Sequence, residues 1–417
     1  MSKILIANCT WYPSGGDWTY IECLKKFYES RGHEVIPFSM HNEKNFETPY
    51  SKYFISGVDY KELNKNKSFS KGLQAVKRTI YSAEAKRNIA RLLDEHKVDI
   101  VHLNNVHHYL TPASIIPEIR KRNIPIIWTI HDYVILCANT TFVSNGVVCE
   151  KCRGGKFINC AINKCKKGSR AASIVASMES YANNWMNPYK HVDYYIFPSN
   201  FIRNKFDNFG FHKDRLVQIY NMFDLDTIKY TMPESPIPAE RPYIVYVGNT
   251  LRVKGIFTLV DAMKGLDIDL YVIGDGEHFK ELQEYIATNN LTNIKLLGRK
   301  TKNEVFYYTA HSLFMVLPTI MYENLPYSVM ECALLGRPTI GARTGGIPEL
   351  IVEGKSGYLF EPGNVPDLRS KIDLLLSQRD QLDEMGRIGK DHVMSLVTPE
   401  AFGKKIAPIF ESLKVAL

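Results

Sequence analysis

At 417 residues, with 45% hydrophobic and 23% charged residues, the chain is too long for one ordinary core and too apolar to stay disordered, and its length predicts two domains. No apolar run approaches the roughly 18 residues a membrane-spanning helix needs. The start, Met1-Ser2-Lys3-Ile4-Leu5-Ile6-Ala7, reads as a buried strand rather than a signal peptide, so a cytoplasmic protein is expected. The net charge of +8 is uneven: residues 1–225 hold 31 Lys and Arg against 20 Asp and Glu, and 226–417 hold 21 against 24.

The first predicted strand, Ile4–Asn8, runs into Pro13-Ser14-Gly15-Gly16-Asp17-Trp18. Gly15 and Gly16 would let backbone approach a phosphate or sugar closely at a helix start, or simply form a tight turn. After the strand Val35–Phe38 comes the densest basic stretch, 61–91, with nine Lys or Arg and two Glu. It suits either contact with anionic lipid headgroups or a solvated helical face; no nucleic-acid motif accompanies it. The strand Ile100–Leu103 carries His102 and leads to His107 and His108, which read as acceptor contacts or as packing. The strand Ile126–Ile130 ends at His131, a residue able to hydrogen-bond a sugar or a reacting hydroxyl near neutral pH.

Five of the eight cysteines fall between 137 and 165. Cys149-x2-Cys152 and Cys160-x4-Cys165 have the look of two knuckles of a structural zinc site, with free or redox-active thiols as the other reading. Strands Tyr194–Phe197 and Val217–Tyr220 close the first series. The Pro-rich Met232–Pro238 reads as a linker.

A second series follows: Tyr243–Val247, Leu270–Ile273, Ile294–Leu296, Phe314–Leu317, Thr339–Gly341 and Gly357–Phe360. The strands of both series are short and rich in Val and Ile, and helical segments separate them. Parallel sheets result, an α/β class with two doubly wound, Rossmann-like domains facing across a cleft. The segment Glu323-Asn324-Leu325-Pro326-Tyr327-Ser328-Val329-Met330-Glu331-Cys332 falls at a strand's carboxyl end, where such sheets bind ligands. Pro326 suits the first turn of a helix reaching Leu334 to Gly336, whose dipole end would hold a diphosphate. Glu323 could accept sugar hydroxyls and Glu331 a ribose diol, or the two could complement the helix dipole and the surface.

This segment resembles the Glu-x7-Glu signature of glycosyltransferase family 4, which has the two-domain glycosyltransferase-B (GT-B) fold. The likeness extends to Gly248-Asn249 with Lys254-Gly255, to Val272-Ile273-Gly274-Asp275-Gly276-Glu277 and to Leu297-Gly298-Arg299. Gly345-Gly346-Ile347-Pro348-Glu349 and Gly357-Tyr358-Leu359-Phe360 complete it. The resemblance implies domains at 1–225 and 226–398, the second binding the donor and the first the acceptor. It also implies a last helix, 400–417, returning to the first domain, and sets a Cys-rich insert at about 137–168 within that domain.

The implied reaction is transfer of a sugar, with retention, from a UDP- or GDP-sugar to a glycan or lipid-linked acceptor of cell-surface polysaccharide synthesis. Peripheral contact with the inner face of an anionic membrane would fit such an acceptor. Glu323 would bind the donor sugar, Glu331 the ribose, and Lys254 with Arg252 the departing diphosphate. His131 matches the family's active-site His. Gly15, Gly16, Gly248, Asn249, Gly274, Gly276, Arg299, Asn324 and Leu325 would line the donor. Asn249 stands where the family usually has Arg. No Asp-x-Asp motif for a metal-bound diphosphate is present, so no cofactor is expected for catalysis. The rivals are a nucleotide-sugar epimerase or phosphorylase of the same fold and a non-catalytic sugar-nucleotide-binding partner.

Overall fold

Twelve short runs of mostly apolar residues become strands, all but Leu216–Gln218 and Ile294–Gly298 largely buried, and they assemble into two separate six-stranded parallel sheets. The computed structural model describes residues 1–57, 77–211, 213–234, 236 and 241–417. Residues 61–76 of the basic stretch, and Ser235, Ile237 and Pro238 of the Pro-rich stretch, lie outside the described residues. The chain divides into two units. One comprises Met1–Asn145, Cys149–Phe223 and Pro399–Leu417, and the other Gly146–Val148 and Asp224–Thr398.

In the first unit the strands are β1 (Lys3–Ala7), β2 (Glu34–Phe38), β3 (Ile100–Leu103), β4 (Ile126–Thr129), β5 (Tyr194–Phe197) and β6 (Leu216–Gln218). Their order is β2-β1-β3-β4-β5-β6, every pair parallel. β1 stops at Ala7 rather than Asn8 because the Asn8 side chain turns the chain. Its amide nitrogen donates to the Thr10 carbonyl at 2.9 Å, and its oxygen accepts from the Asn105 amide at 3.1 Å. The helix Pro399–Ser412 packs on the helix Gly16–Glu29. Phe402 lies 5.0 Å from Phe27 and Phe410 lies 5.8 Å from Tyr28, centroid to centroid. Ser2 Oγ donates to the Ala416 carbonyl at 2.9 Å, tying this tail to the first strand.

In the second unit the strands are β7 (Tyr243–Val247), β8 (Asp269–Ile273), β9 (Ile294–Gly298), β10 (Met315–Leu317), β11 (Thr339–Ala342) and β12 (Gly357–Phe360). Their order is β9-β8-β7-β10-β11-β12. Tyr243 and Tyr271 stack across β7 and β8 at 4.1 Å, and the buried Asp269 carboxylate holds Lys295 at 3.1 Å. Among the described residues no helix is long and apolar enough to cross a membrane.

Candidate active site

Each sheet order contains one point where successive connections depart in opposite directions, and a crevice opens there at the carboxyl ends of two strands. In the second unit this point lies between β7 and β10. The loops leaving those strands are stitched together. The Ile320 amide donates to the Val253 carbonyl at 3.0 Å, and Thr319 Oγ1 donates to the same oxygen at 3.3 Å. Gly255, at φ +73°, allows this approach, since a Cβ there would stand 1.8 Å from the Pro318 carbonyl oxygen.

The stitched loops bring the Lys254 ammonium to Glu323 Oε1 at 2.6 Å, with side chains 22% and 13% exposed. The Glu323 backbone is clasped from behind. The Gly346 amide donates to its carbonyl at 2.8 Å, and a Cβ on Gly345, at φ +61°, would come within 2.1 Å of that oxygen. Below the pair, the Tyr246 hydroxyl donates to the Asn249 carbonyl at 2.7 Å. Burial and the Glu323 charge hold that phenol far above its usual range.

Pro326 caps the helix Tyr327–Leu334 rather than lying in its first turn, because its ψ of 118° is extended and not helical. The helix ends at Leu334 with Leu335 as cap, short of Gly336. Its positive dipole end thus follows Glu323, Asn324 and the buried Leu325 directly. Half-buried Glu331 lies on the helix itself, and burial pushes its carboxyl up to about 7, with Lys302 opposing.

Gly248 and Gly274 carry on from adjacent strands, and the Thr250 amide donates to the Asp275 carbonyl at 3.2 Å, holding Gly276 beside the same loop. Arg299 is exposed just beyond β9. Arg252 does not join Lys254. Its guanidinium pairs with Glu281 and covers the Phe257 ring at 4.3 Å.

In the first unit the corresponding point lies between β1 and β3. Gly15 is the N-cap and Gly16 the first residue of the helix Gly16–Glu29. Asn105 Nδ2 donates to Asp17 in that first turn at 3.2 Å. His131 follows β4, and its Nε2 stands 3.0 Å from Asn104 Oδ1. Asn104 is itself fixed: its amide nitrogen donates to the His102 carbonyl at 3.4 Å, and its own carbonyl accepts from the Trp128 indole at 2.8 Å. This network assigns the proton to Nε2.

Burial lowers the His131 imidazole to about 4, with Asp17 opposing, so the ring is neutral at physiological pH. A cavity of about 200 Å³ is lined by Asn104, His107, His108, Tyr109, His131 and Asp132. His102 is fully buried, with Tyr28 and Thr129 hydroxyls on its two ring nitrogens, which leaves packing as its role. Sequence reading missed Asn104, Asp17 and Tyr246 as parts of these sites. Their positions at strand ends and in a helix's first turn were the only signal available.

The cysteines of the insert are free thiols. Cys137 is hydrogen-bonded to Cys152 and Cys160 to Cys165, and Cys160 also interacts electrostatically with Cys137 and Cys152. Cys152 and Cys160 pack with Phe157, Ala138 and Ala176, with Cys165 against them, in an apolar cluster. Among the described residues no group of three or more His, Cys, Asp or Glu is arranged to hold a metal. The partner thiol draws Cys137 down to about 7, while burial pushes Cys160 up to about 12.

Two Rossmann-like sheets in one chain, each with a switch-point site, define the GT-B class of fold. The chain belongs to glycosyltransferase family 4: the Glycosyltransferase Family 4 model matches residues 14–227, and the Glycosyl transferases group 1 model matches 228–392. Among relatives, an uncharacterized glycosyltransferase of Methanocaldococcus jannaschii is 31% identical over 199 residues, 48% of this chain and 54% of that one. The capsular polysaccharide biosynthesis glycosyltransferase CapM of Staphylococcus aureus is 24% identical over 225 residues, 52% of this chain and 58% of that one. The chain thus spans little more than half the length of these relatives. The structure of Anabaena HepE in complex with UDP and glucose matches with a TM-score of 0.68 at 16% identity, over 99% of this chain and 100% of that one.

Proposed function

We propose that the chain is a retaining glycosyltransferase that takes a sugar from a UDP- or GDP-sugar and passes it to a glycan or lipid-linked acceptor of cell-surface polysaccharide synthesis. The observation that carries this reading is the Lys254–Glu323 pair at the switch point, directly before a helix N-terminus. A diphosphate set against that dipole end would draw the Lys254 ammonium into a shared position between its oxygens and the Glu323 carboxylate. Glu323, with its other oxygen, would accept hydroxyls of the sugar. As the bond from the anomeric carbon to the phosphate oxygen breaks, negative charge grows on the diphosphate, and Lys254 and the helix dipole stabilise it. The departing phosphate oxygen would take the acceptor's proton, and the acceptor oxygen would bond on the face the diphosphate leaves.

HepE with UDP bound supports a nucleotide donor, and the role of CapM in capsular polysaccharide biosynthesis supports a polysaccharide pathway. Neutral His131, oriented by Asn104, is assigned to hydrogen bonding with sugar or acceptor hydroxyls. The Gly15–Gly16 turn is assigned to the donor phosphate, and Glu331 to the ribose.

A thermal-shift screen of UDP-, GDP- and ADP-sugars identifies the donor, because selective binding raises the apparent melting temperature. A mass-resolved transfer assay then checks the reaction. Epimerised donor with no acceptor product, or normal cellular glycan with Glu323→Gln, would remove this reading.

A further inference from the structure

The helix Arg170–Met186 is amphipathic in the wrong sense for a helix on a protein core. Its buried positions are Ser173, Ala176, Ser177, Glu179 and Asn183, small or polar residues. Its large apolar residues Ile174, Met178, Tyr181 and Trp185 are instead exposed, at 43%, 47%, 41% and 86%. Their spacing of four, three and four residues puts them on one stripe. The short helix Ile158–Ile162 packs alongside, the Ile158 amide donating to the Tyr181 hydroxyl at 3.0 Å, and it exposes Ile158 and Ile162 as well. Burying such side chains stabilises, so leaving six of them in water needs a compensating partner.

Charge names that partner. From 151 to 190 the chain carries Lys151, Arg153, Lys156, Lys164, Lys166, Lys167, Arg170 and Lys190. Glu179, the one acidic residue in that stretch, is buried on the opposite face against His108. Exposed Lys164 and Lys167 in the turn between the two helices, and Arg170 at the start of the second, lie at one end of the apolar stripe. An apolar stripe with a cluster of cations at one end, and no exposed carboxylate between 151 and 190, fits the interface of an anionic phospholipid bilayer. The stripe enters the acyl boundary while the cations meet headgroup phosphates.

We propose that the helix pair Ile158–Ile162 and Arg170–Met186 is the surface by which this protein docks on an anionic membrane. At one end of the surface Trp185 and Met186 line a groove with Tyr81 and Lys86, and the proposal stands apart from the identity of donor and acceptor.

Trp185 supplies its own probe, because Trp11, Trp18 and Trp128 are buried at 3%, 6% and 1% exposure. Full-length protein is mixed with vesicles of phosphatidylcholine alone and with vesicles holding about one third phosphatidylglycerol. The expected result is flotation with the anionic vesicles only, lost at high salt, with a blue shift of tryptophan emission that Trp185→Phe abolishes while flotation remains. The triple variant Ile174→Asn, Met178→Asn, Trp185→Ser and the charge variant Lys164→Glu, Lys167→Glu, Arg170→Glu should each weaken flotation at least tenfold. Donor-induced thermal shift should stay unchanged in both, which shows that they fold and separates this result from failure of the donor site. Absence of flotation, or flotation untouched by both variants, would overturn the proposal. So would a wild-type dimer made monomeric by the triple variant with no vesicle binding, because a second copy would then cover the stripe.

Discussion

Lys254 and Glu323 neutralise one another at 2.6 Å in a half-sheltered site, so each substitution there has a structural as well as a chemical effect. Glu323→Gln keeps the shape and removes the charge; transfer should fall about 10²–10³-fold with the melting temperature nearly unchanged. Lys254→Ala should cost as much activity and also lower stability by about 1–3 kcal/mol, since a partly buried carboxylate loses its partner. Rates with saturating donor and melting curves of both variants separate the two effects. Glu331 predicts a pH dependence of opposite sign to a paired carboxylate. Its folded pKa, about 7, exceeds the ordinary glutamate value, so the folded state binds more protons between the two. Stability then falls as pH rises from about 4.5 to 7, by roughly 1 kcal/mol per unit at most. Glu331→Gln should flatten that slope in melting curves taken across the window, and an unchanged slope would reassign it to another group. His131 works in the other direction: lowered to about 4, it withdraws stability as pH falls below its ordinary 6.5.

At the scale of loops, strands and helices, Gly255 is the position on which the Lys254–Glu323 pairing depends. A Gly255→Ala side chain meets both a left-handed φ and the Pro318 carbonyl, so the 252–255 turn must leave the 318–320 loop. A loss of about 1–3 kcal/mol is expected, with donor-induced thermal shift lost first because Lys254 moves away from Glu323. The twelve strands of the two parallel sheets could be read from their short apolar runs, since strands largely buried on both faces leave little other pattern. Their ends were less legible, because side chains such as Asn8 set them through bonds to residues far along the chain. Glu323 and Lys254 were legible from motif spacing. Asn104 was not, since an amide that orients a histidine 27 positions away has no local signature. The cysteine spacing gave no sign that Cys137 lies against Cys152, a contact that tertiary packing makes.

For the whole molecule, apart from Gly146–Val148, the chain enters the second unit after Phe223 and leaves it after Thr398 to complete the first. Phe402, Ile406 and Phe410 of the final helix are nearly inaccessible to solvent, so Phe402→Ala should cost about 3–5 kcal/mol. Calorimetry should show this as a lower melting step for the first unit alone, with the sugar-nucleotide response of the second retained. A single step shifted as a whole would mean that the two units unfold as one. The same connectivity governs how the protein is made. The segment that seals the N-terminal core emerges from the ribosome only after the second unit has been translated. Until then the aromatic face of Tyr20, Phe27 and Tyr28 stands uncovered on the nascent chain. That interval is when a chaperone has most to shield, and a stalled or truncated message would release a protein with a finished second unit and an aggregation-prone first unit.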